Sequence, residues 1–301
     1  MKKVKFKGII PPMVTIFNED GSFDWEGNKA VIDYLINGGV HGIFVMGSSS
    51  EFNHLTSAER KEFAEFAVDY VNGRVPVLVG TGHTNTQTVV DLSRHAQSIG
   101  ADGVVVVTPY YWKLSEENLF NHFTTVAGAI DLPVVLYHYP NLTGQQFDAP
   151  LVARIVKEMP NVVGIKDTID SISHIRELII TVKEINPDFS VFSAYDDHLF
   201  NTLVMGGDGA ISGSSNFAPE INVGVYQNFV EGNYQKAIDI NNILMRLTRI
   251  YGFDTPAIGV MKEGLRLRGV PIKTHVRPPA AAASPKAVAA LESLLKSLQL
   301  I

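Results

Sequence analysis

Short apolar runs rich in β-branched residues alternate along this chain with longer stretches whose apolar positions recur every three to four residues. The runs cover residues 8–17, 42–47, 76–80, 103–108, 133–139, 162–167, 190–194 and 209–212, which predicts eight strands. Between the second and third, Phe63, Phe66, Ala67, Tyr70 and Val71 share one helical face, and Thr56 with Glu59 has the spacing of a capping box. A strand-then-helix unit repeated through about 230 residues predicts the α/β class and a (β/α)8, or TIM, barrel. A doubly wound sheet would more often carry a glycine fingerprint after its first strand, where this chain has Pro11-Pro12.

After Ser212 the pattern turns purely helical. Ile240, Ile243, Leu244, Leu247, Ile250 and Tyr251 form one apolar stripe, and Val288, Leu291, Leu295 and Leu298 form another. Thr255-Pro256 and Ser284-Pro285 read as helix starts, and Gly269 followed by Pro271 as a stop. The expected organisation is a barrel over residues 1–232 and a C-terminal three-helix extension over 233–301, with 277–285 as a surface connector.

Composition narrows the function classes. With 301 residues, 46% of them hydrophobic, the chain is long enough to bury a large core. Twenty-five basic against 31 acidic residues, dispersed along the chain, give a net charge of -6 and no footprint for nucleic acid or an anionic membrane. The absence of cysteine removes disulfides, thiolate nucleophiles and thiolate metal sites. No apolar segment follows the basic start, and no run approaches the roughly 18 apolar residues of a membrane span, so a cytoplasmic location is expected.

Candidate chemistry begins with Lys166, which closes the run Asn161-Val-Val-Gly-Ile-Lys166. Strict alternation puts it on the face of Gly164, opposite Val163 and Ile165. Aimed inward there, it stands above a gap at the desolvated mouth of the barrel. Burial disfavours the ammonium form and frees the amine for a Schiff base with a carbonyl substrate. Taken alone, a strand-end lysine is more often solvated or paired with a carboxylate such as Asp167.

In such a barrel the chemistry sits at the C-terminal ends of the strands. The second strand runs into Gly47-Ser48-Ser49-Ser50-Glu51, where small residues let backbone N–H groups face an anion such as a carboxylate; an ordinary polar loop has the same composition. The fifth ends in Tyr137-His138-Tyr139-Pro140, with Tyr137 and Tyr139 on one face and His138 on the other. Lys166 follows Tyr137 by 29 residues, so neighbouring strands bring a phenol beside the amine. The glycines at 206–213 flank a strand without a basic residue, and neither they nor residues 80–85 are assigned to phosphate. Tyr195-Asp-Asp-His198 is the one tight cluster of metal-ligand types, and Asp197 and His198 would more often cap the following helix; no metal and no cofactor are expected.

Together with Thr108-Pro-Tyr-Tyr-Trp-Lys113 and Gly206-Gly-Asp-Gly-Ala-Ile-Ser212, these motifs resemble the dihydrodipicolinate synthase / N-acetylneuraminate lyase family of pyruvate-handling class I aldolases over nearly the whole chain. Gly8-Ile-Ile-Pro-Pro12, Tyr110-Tyr-Trp-Lys113, Gly164-Ile-Lys-Asp-Thr-Ile-Asp170 and Tyr195-Asp-Asp-His198 are most similar to its 2-keto-3-deoxygluconate aldolase branch. The resemblance implies that Lys166 forms the Schiff base and Tyr137 shuttles protons. Ser49 would connect Tyr137 to Tyr111, which in family members comes from a neighbouring subunit of a homotetramer built from two tight dimers. Ser48 and Ser49 would hold a pyruvate-type carboxylate, and Ile211 would close the pocket beside the imine. Tyr139, Thr168, Tyr195 and Asp196 would offer hydroxyl and carboxylate groups to a polyol tail.

Three positions depart from the family. Its synthases carry an arginine shortly after the strand-5 tyrosines, where this chain reads Asn141-Leu142-Thr143, which argues against aspartate semialdehyde as acceptor. Ser50 stands where glycine is usual, a position at which a required backbone angle or close approach would strain serine. His138 replaces an asparagine and reads as support for its loop. The expected activity is cleavage of a 2-keto-3-deoxy sugar acid to pyruvate and an aldehyde such as glyceraldehyde. Alternatives are a dehydratase acting through the same imine, a synthase or neuraminate lyase of the family, a metal-dependent pyruvate aldolase, and a non-catalytic carbonyl-binding scaffold.

Overall fold

Eight parallel strands form one sheet in the computed structural model, which describes residues 5–301. They are β1 (Gly8–Ile9), β2 (Ile43–Val45), β3 (Val77–Gly80), β4 (Gly103–Val107), β5 (Val134–His138), β6 (Val162–Asp167), β7 (Ser190–Ser193) and β8 (Gly209–Ala210). Hydrogen bonding runs β1-β8-β7-β6-β5-β4-β3-β2. The chain just past β1 closes the ring: Phe44 N–H donates to the Pro11 carbonyl at 2.9 Å and Met13 N–H to the Phe44 carbonyl at 2.8 Å. The result is the expected (β/α)8 barrel.

Its first strand is far shorter than 8–17. Pro11 and Pro12 have no N–H to give a ladder, and the buried chain beyond them keeps only single bridges, Pro12 to Phe44 and Phe17 to Phe23 and His275. β2 ends at Val45 because Met46 takes φ 59°. That turn needs a neighbour without a side chain: a Cβ on Gly80 would lie 2.1 Å from the Met46 carbonyl oxygen.

Around the sheet run α1 (Trp25–Asn37), α2 (Ser57–Val71), α3 (Thr86–Ser98), α4 (Glu116–Gly128), the single turn α5 (Pro140–Thr143), α6 (Ala149–Glu158), α7 (Ile172–Lys183), α8 (Leu199–Val204) and α9 (Pro219–Val230). The capping box at α2 is present: Glu59 N–H donates to Thr56 Oγ1 at 3.2 Å and Thr56 N–H to Glu59 Oε2 at 2.8 Å. Strand alternation splits the apolar side chains into two layers. Phe44, Leu78, Val105, Val135, Tyr137, Phe192 and Ile211 fill the barrel, while Val45, Val79, Val104, Leu136, Ile165 and Val191 meet the helices.

Alternation breaks once where it matters. Val134 pairs with Val162 but Val135 pairs with Gly164, so Val163 is bulged and packs toward the inner layer rather than away from Lys166 as strict alternation requires. Gly164, Ile165 and Lys166 then keep the expected in, out, in order.

The extension comprises α10 (Tyr234–Leu247), α11 (Ile258–Leu267) and α12 (Pro285–Ser297). Ser284 caps α12 through Ala287 N–H, as expected. Thr255-Pro256 does not start α11, which begins at Ile258; Asp254 just before it accepts from Ser284 N–H at 2.7 Å and ties this loop to the start of α12. The connector is anchored where it begins, for Arg277 N–H donates to Glu51 Oε2 at 2.8 Å and its guanidinium pairs with Glu59 at 2.7 Å. No helix among the described residues is long and apolar enough to cross a membrane.

Candidate active site

Register sets the centre of the site. Tyr137 on β5 pairs with Lys166 on β6, which pairs with Phe192 on β7, and all three side chains point into the barrel. Lys166 is 3% exposed, with Nζ 4.1 Å from the Tyr137 ring centroid and 5.2 Å from that of Phe44. Burial lowers its pKa to about 7, and no carboxylate offsets that burial among the described residues. Asp167 is not its partner. That carboxylate points outward, accepting from His138 Nδ1 at 2.7 Å and His174 Nδ1 at 2.8 Å.

Tyr137 is 3% exposed and shares a hydrogen bond of 3.2 Å with Ser48 Oγ. Burial pushes its phenol pKa well up, and the Ser48 bond offsets only part of that shift. The resting pair is therefore a protonated phenol beside an amine poised near neutrality. A positive charge on that amine would favour the phenolate through the same contact.

The hydroxyl loop is a single 3-10 turn, Ser48–Ser50. Ser50 and Glu51 N–H groups close it onto the Gly47 and Ser48 carbonyls at 3.0 and 3.1 Å, while the leading N–H groups of a turn have no partner within it. Ser48 and Ser49 both line the cavity, and of the two it is the Ser48 hydroxyl that lies at hydrogen-bond distance from Tyr137. Ser50 fits without strain. It has ordinary backbone angles, the left-handed angle falling on Glu51 at φ 60°, and its Oγ donates to the Met13 carbonyl at 2.5 Å.

A cavity of about 210 Å³ opens over Lys166, lined by Ser48, Ser49, Tyr137, Tyr139, Thr168, Tyr195 and Ile211 among others. Larger open grooves of about 710 and 600 Å³ lie along residues 18–22 and 272–278 and hold none of these side chains. Asp196 does not line the cavity. It is fully buried, taking hydrogen bonds from Ser214 N–H at 3.2 Å, from Ser214 Oγ and from Tyr251 Oη at 2.5 Å, and burial raises its pKa against those bonds. Tyr111, at φ 84°, is 89% exposed and outside the cavity of its own chain.

Several cavity residues escape the sequence pattern. Pro12 and Gly213 come from irregular segments, and Tyr251 and Met261 come from the extension. Tyr251 reads as part of an apolar stripe, yet it keeps ring surface in solvent while its buried hydroxyl orients Asp196. His138, Asp167 and His174 also converge, with ligand atoms all within 4.8 Å of one another. Both carboxylate oxygens are engaged by the imidazoles, and Phe147 N–H donates to His138 Nε2 at 3.5 Å. Burial lowers the pKa of His174 but its bonds to Asp167 outweigh that and leave it raised; burial raises Asp167 and the two histidines bring it below its ordinary value. The cluster lies on the opposite face of β5 and β6 from Lys166, so an ion held there would not touch a carbonyl on the lysine.

A family model for the dihydrodipicolinate synthetase family matches residues 5–298. The chain is 50% identical over 98% of its length to YagE of Escherichia coli K12, provisionally named a 2-dehydro-3-deoxy-D-gluconate aldolase, and covers 98% of it. It is 46% identical to YjhH of the same organism, provisionally named a 2-dehydro-3-deoxy-D-pentonate aldolase, covering 94% of each chain. The crystal structure of YagE in complex with pyruvate superposes with a TM-score of 0.97 at 49% identity, over 98% of this chain and 99% of that one.

Proposed function

This chain belongs to the dihydrodipicolinate synthetase family, and from that premise we propose that it is a class I aldolase, a lyase that cleaves a 2-keto-3-deoxygluconate-like sugar acid to pyruvate and an aldehyde such as glyceraldehyde. The observation that carries the reading is Lys166: a buried amine with no acid partner among the described residues, brought to about pKa 7 and set against a buried phenol.

Lys166 Nζ attacks the substrate ketone, water leaves, and the iminium becomes an electron sink at the adjacent carbon. Tyr137 takes the proton of the C4 hydroxyl, the C3–C4 bond breaks and the aldehyde departs. The enamine of pyruvate is reprotonated and hydrolysed from the lysine. Ser48 and Ser49 hold the substrate carboxylate at the start of their turn, and Ile211 closes the pocket beside the imine. Tyr139, Thr168 and Tyr195 face the polyol tail, with Tyr251 at the same mouth. In this division the barrel, 1–232, carries the reacting groups and the extension, 233–301, walls the far end of the pocket.

The proposal includes a shared site in a homotetramer made of two tight dimers. Beside Ser48 and Tyr137 lies a second cavity of about 190 Å³, walled by Phe52, Tyr110 and Leu142, and the exposed ring of Tyr111 supports insertion of that residue from a neighbouring copy into such a space. A cytoplasmic location accords with the same reading.

The test is a retro-aldol assay over unphosphorylated 2-keto-3-deoxy acids, coupled to pyruvate detection. The expected result is release of pyruvate and glyceraldehyde from 2-keto-3-deoxygluconate, insensitive to chelators, with little condensation of pyruvate and aspartate semialdehyde. Loss of water from the six-carbon acid without release of pyruvate would replace the aldolase by a dehydratase, and a far higher kcat/KM with aspartate semialdehyde than with glyceraldehyde would overturn the substrate assignment.

A further inference from the structure

The turn carrying Ser48 and Ser49 ends on Glu51, whose carboxylate is wholly buried. Both of its oxygens are held by the C-terminal part of the chain. Lys262 Nζ, on α11 and itself 0% exposed, donates to Oε1 at 2.6 Å; Arg277 N–H donates to Oε2 at 2.8 Å. The same ammonium donates to the His275 carbonyl at 2.6 Å and stands 4.9 Å above the Phe17 ring, on the chain that follows β1. One buried cation thus ties together the hydroxyl turn, the first-strand segment and the extension.

Glu51, Lys262 and Arg277 do not line the cavity, so the clasp acts through the turn. Glu51 is a left-handed residue, a conformation that costs a non-glycine side chain free energy and persists only where its surroundings hold it. Met261, the residue before Lys262, does line the cavity, so α11 touches both the clasp and the site.

We propose that the buried Lys262–Glu51 pair is a positioning clasp that fixes the Ser48–Ser49 turn where a substrate carboxylate binds, and so sets the selectivity of Lys166 for 2-keto acids over neutral ketones. The inference rests on the Schiff-base reading above. A breadth of about 1 Å in the placement of binding groups can cost about 10²-fold. Releasing the turn therefore weakens capture of a ketone that carries a carboxylate and spares one that does not.

The experiment is reductive trapping on the assembled enzyme, with pyruvate and with acetone, each titrated in the presence of cyanoborohydride and quantified as adduct on Lys166 by mass spectrometry. In Lys262→Met the half-saturating pyruvate concentration is expected to rise about 10- to 10²-fold, while the rate with acetone stays within about twofold of the wild type's. Because a lone buried carboxylate can unfold a protein, Glu51→Gln/Lys262→Met, which removes both charges, is measured beside it and is expected to show the same loss of pyruvate preference. Unchanged pyruvate saturation in a folded variant overturns the clasp, and so does an equal loss with both ketones, which marks general loosening. Absence of any pyruvate adduct on wild-type Lys166 overturns the Schiff-base reading itself, a result visible before any variant is made.

Discussion

Lys166→Met should make the protein more stable while abolishing imine formation, and the gain should depend on pH in a defined way. The wild-type amine falls from an ordinary 10.5 to about 7 on burial between Phe44 and Tyr137. At about 1.4 kcal/mol per tenfold change this is a penalty of about 5 kcal/mol on the charged form. The folded pKa is depressed, so the unfolded chain binds the proton more tightly than the folded one. The penalty is in full force below about pH 7 and is relieved progressively between 7 and 10.5. Methionine fills the same apolar space without a charge and escapes it. Its advantage over the wild type is therefore about 5 kcal/mol at pH 6 and about 2 kcal/mol at pH 9, with any packing difference adding a constant offset. Guanidinium unfolding of both proteins at pH 6 and pH 9, at one fixed chain concentration because assembly contributes to stability, reads the difference. A gap between the two proteins that changes by less than about 1 kcal/mol across that range would refute the desolvated lysine and with it the reason the amine is nucleophilic.

Tyr137→Phe should leave trapping of pyruvate on Lys166 measurable but lower the rate of carbon–carbon cleavage by about 10²–10⁴-fold, the usual worth of a general acid–base group. Ser48→Ala should impair cleavage more than Ser49→Ala, because of the two serines it is Ser48 whose hydroxyl meets the Tyr137 phenol; the reverse order in kcat would favour the relay expected of Ser49. Inactive Lys166→Ala and impaired Tyr111→Phe subunits, mixed in verified hetero-oligomers, should recover activity above the sum of the separate preparations, and no recovery counts against a site completed by a neighbour.

The barrel is legible in the sequence because most strands are apolar runs with glycine or proline at or near an end, and Lys166 because its position on one such run fixes its direction. What the pattern misses depends on contacts between distant segments. The bulge at Val163 follows from the pairing of β5 with β6, which no single run contains. The pairing of Asp196 with Ser214 and Tyr251 spans the start of one helix, the loop after β8 and the extension, so its carboxylate is buried among hydrogen-bond partners instead of lining the cavity. Tyr251 satisfies the period of an apolar stripe, and only the fold shows it lining the cavity with its hydroxyl on Asp196. His174 joins His138 and Asp167 through neighbouring strands, and its own helix gives no hint of it.

The central claim is that Lys166 is the nucleophile, and reduction of the enzyme–pyruvate mixture with borohydride tests it most directly. Peptide mapping should find one pyruvate-derived adduct per chain, on Lys166, and none in Lys166→Ala. An adduct on another lysine, or none at saturating pyruvate, would contradict the Schiff-base account.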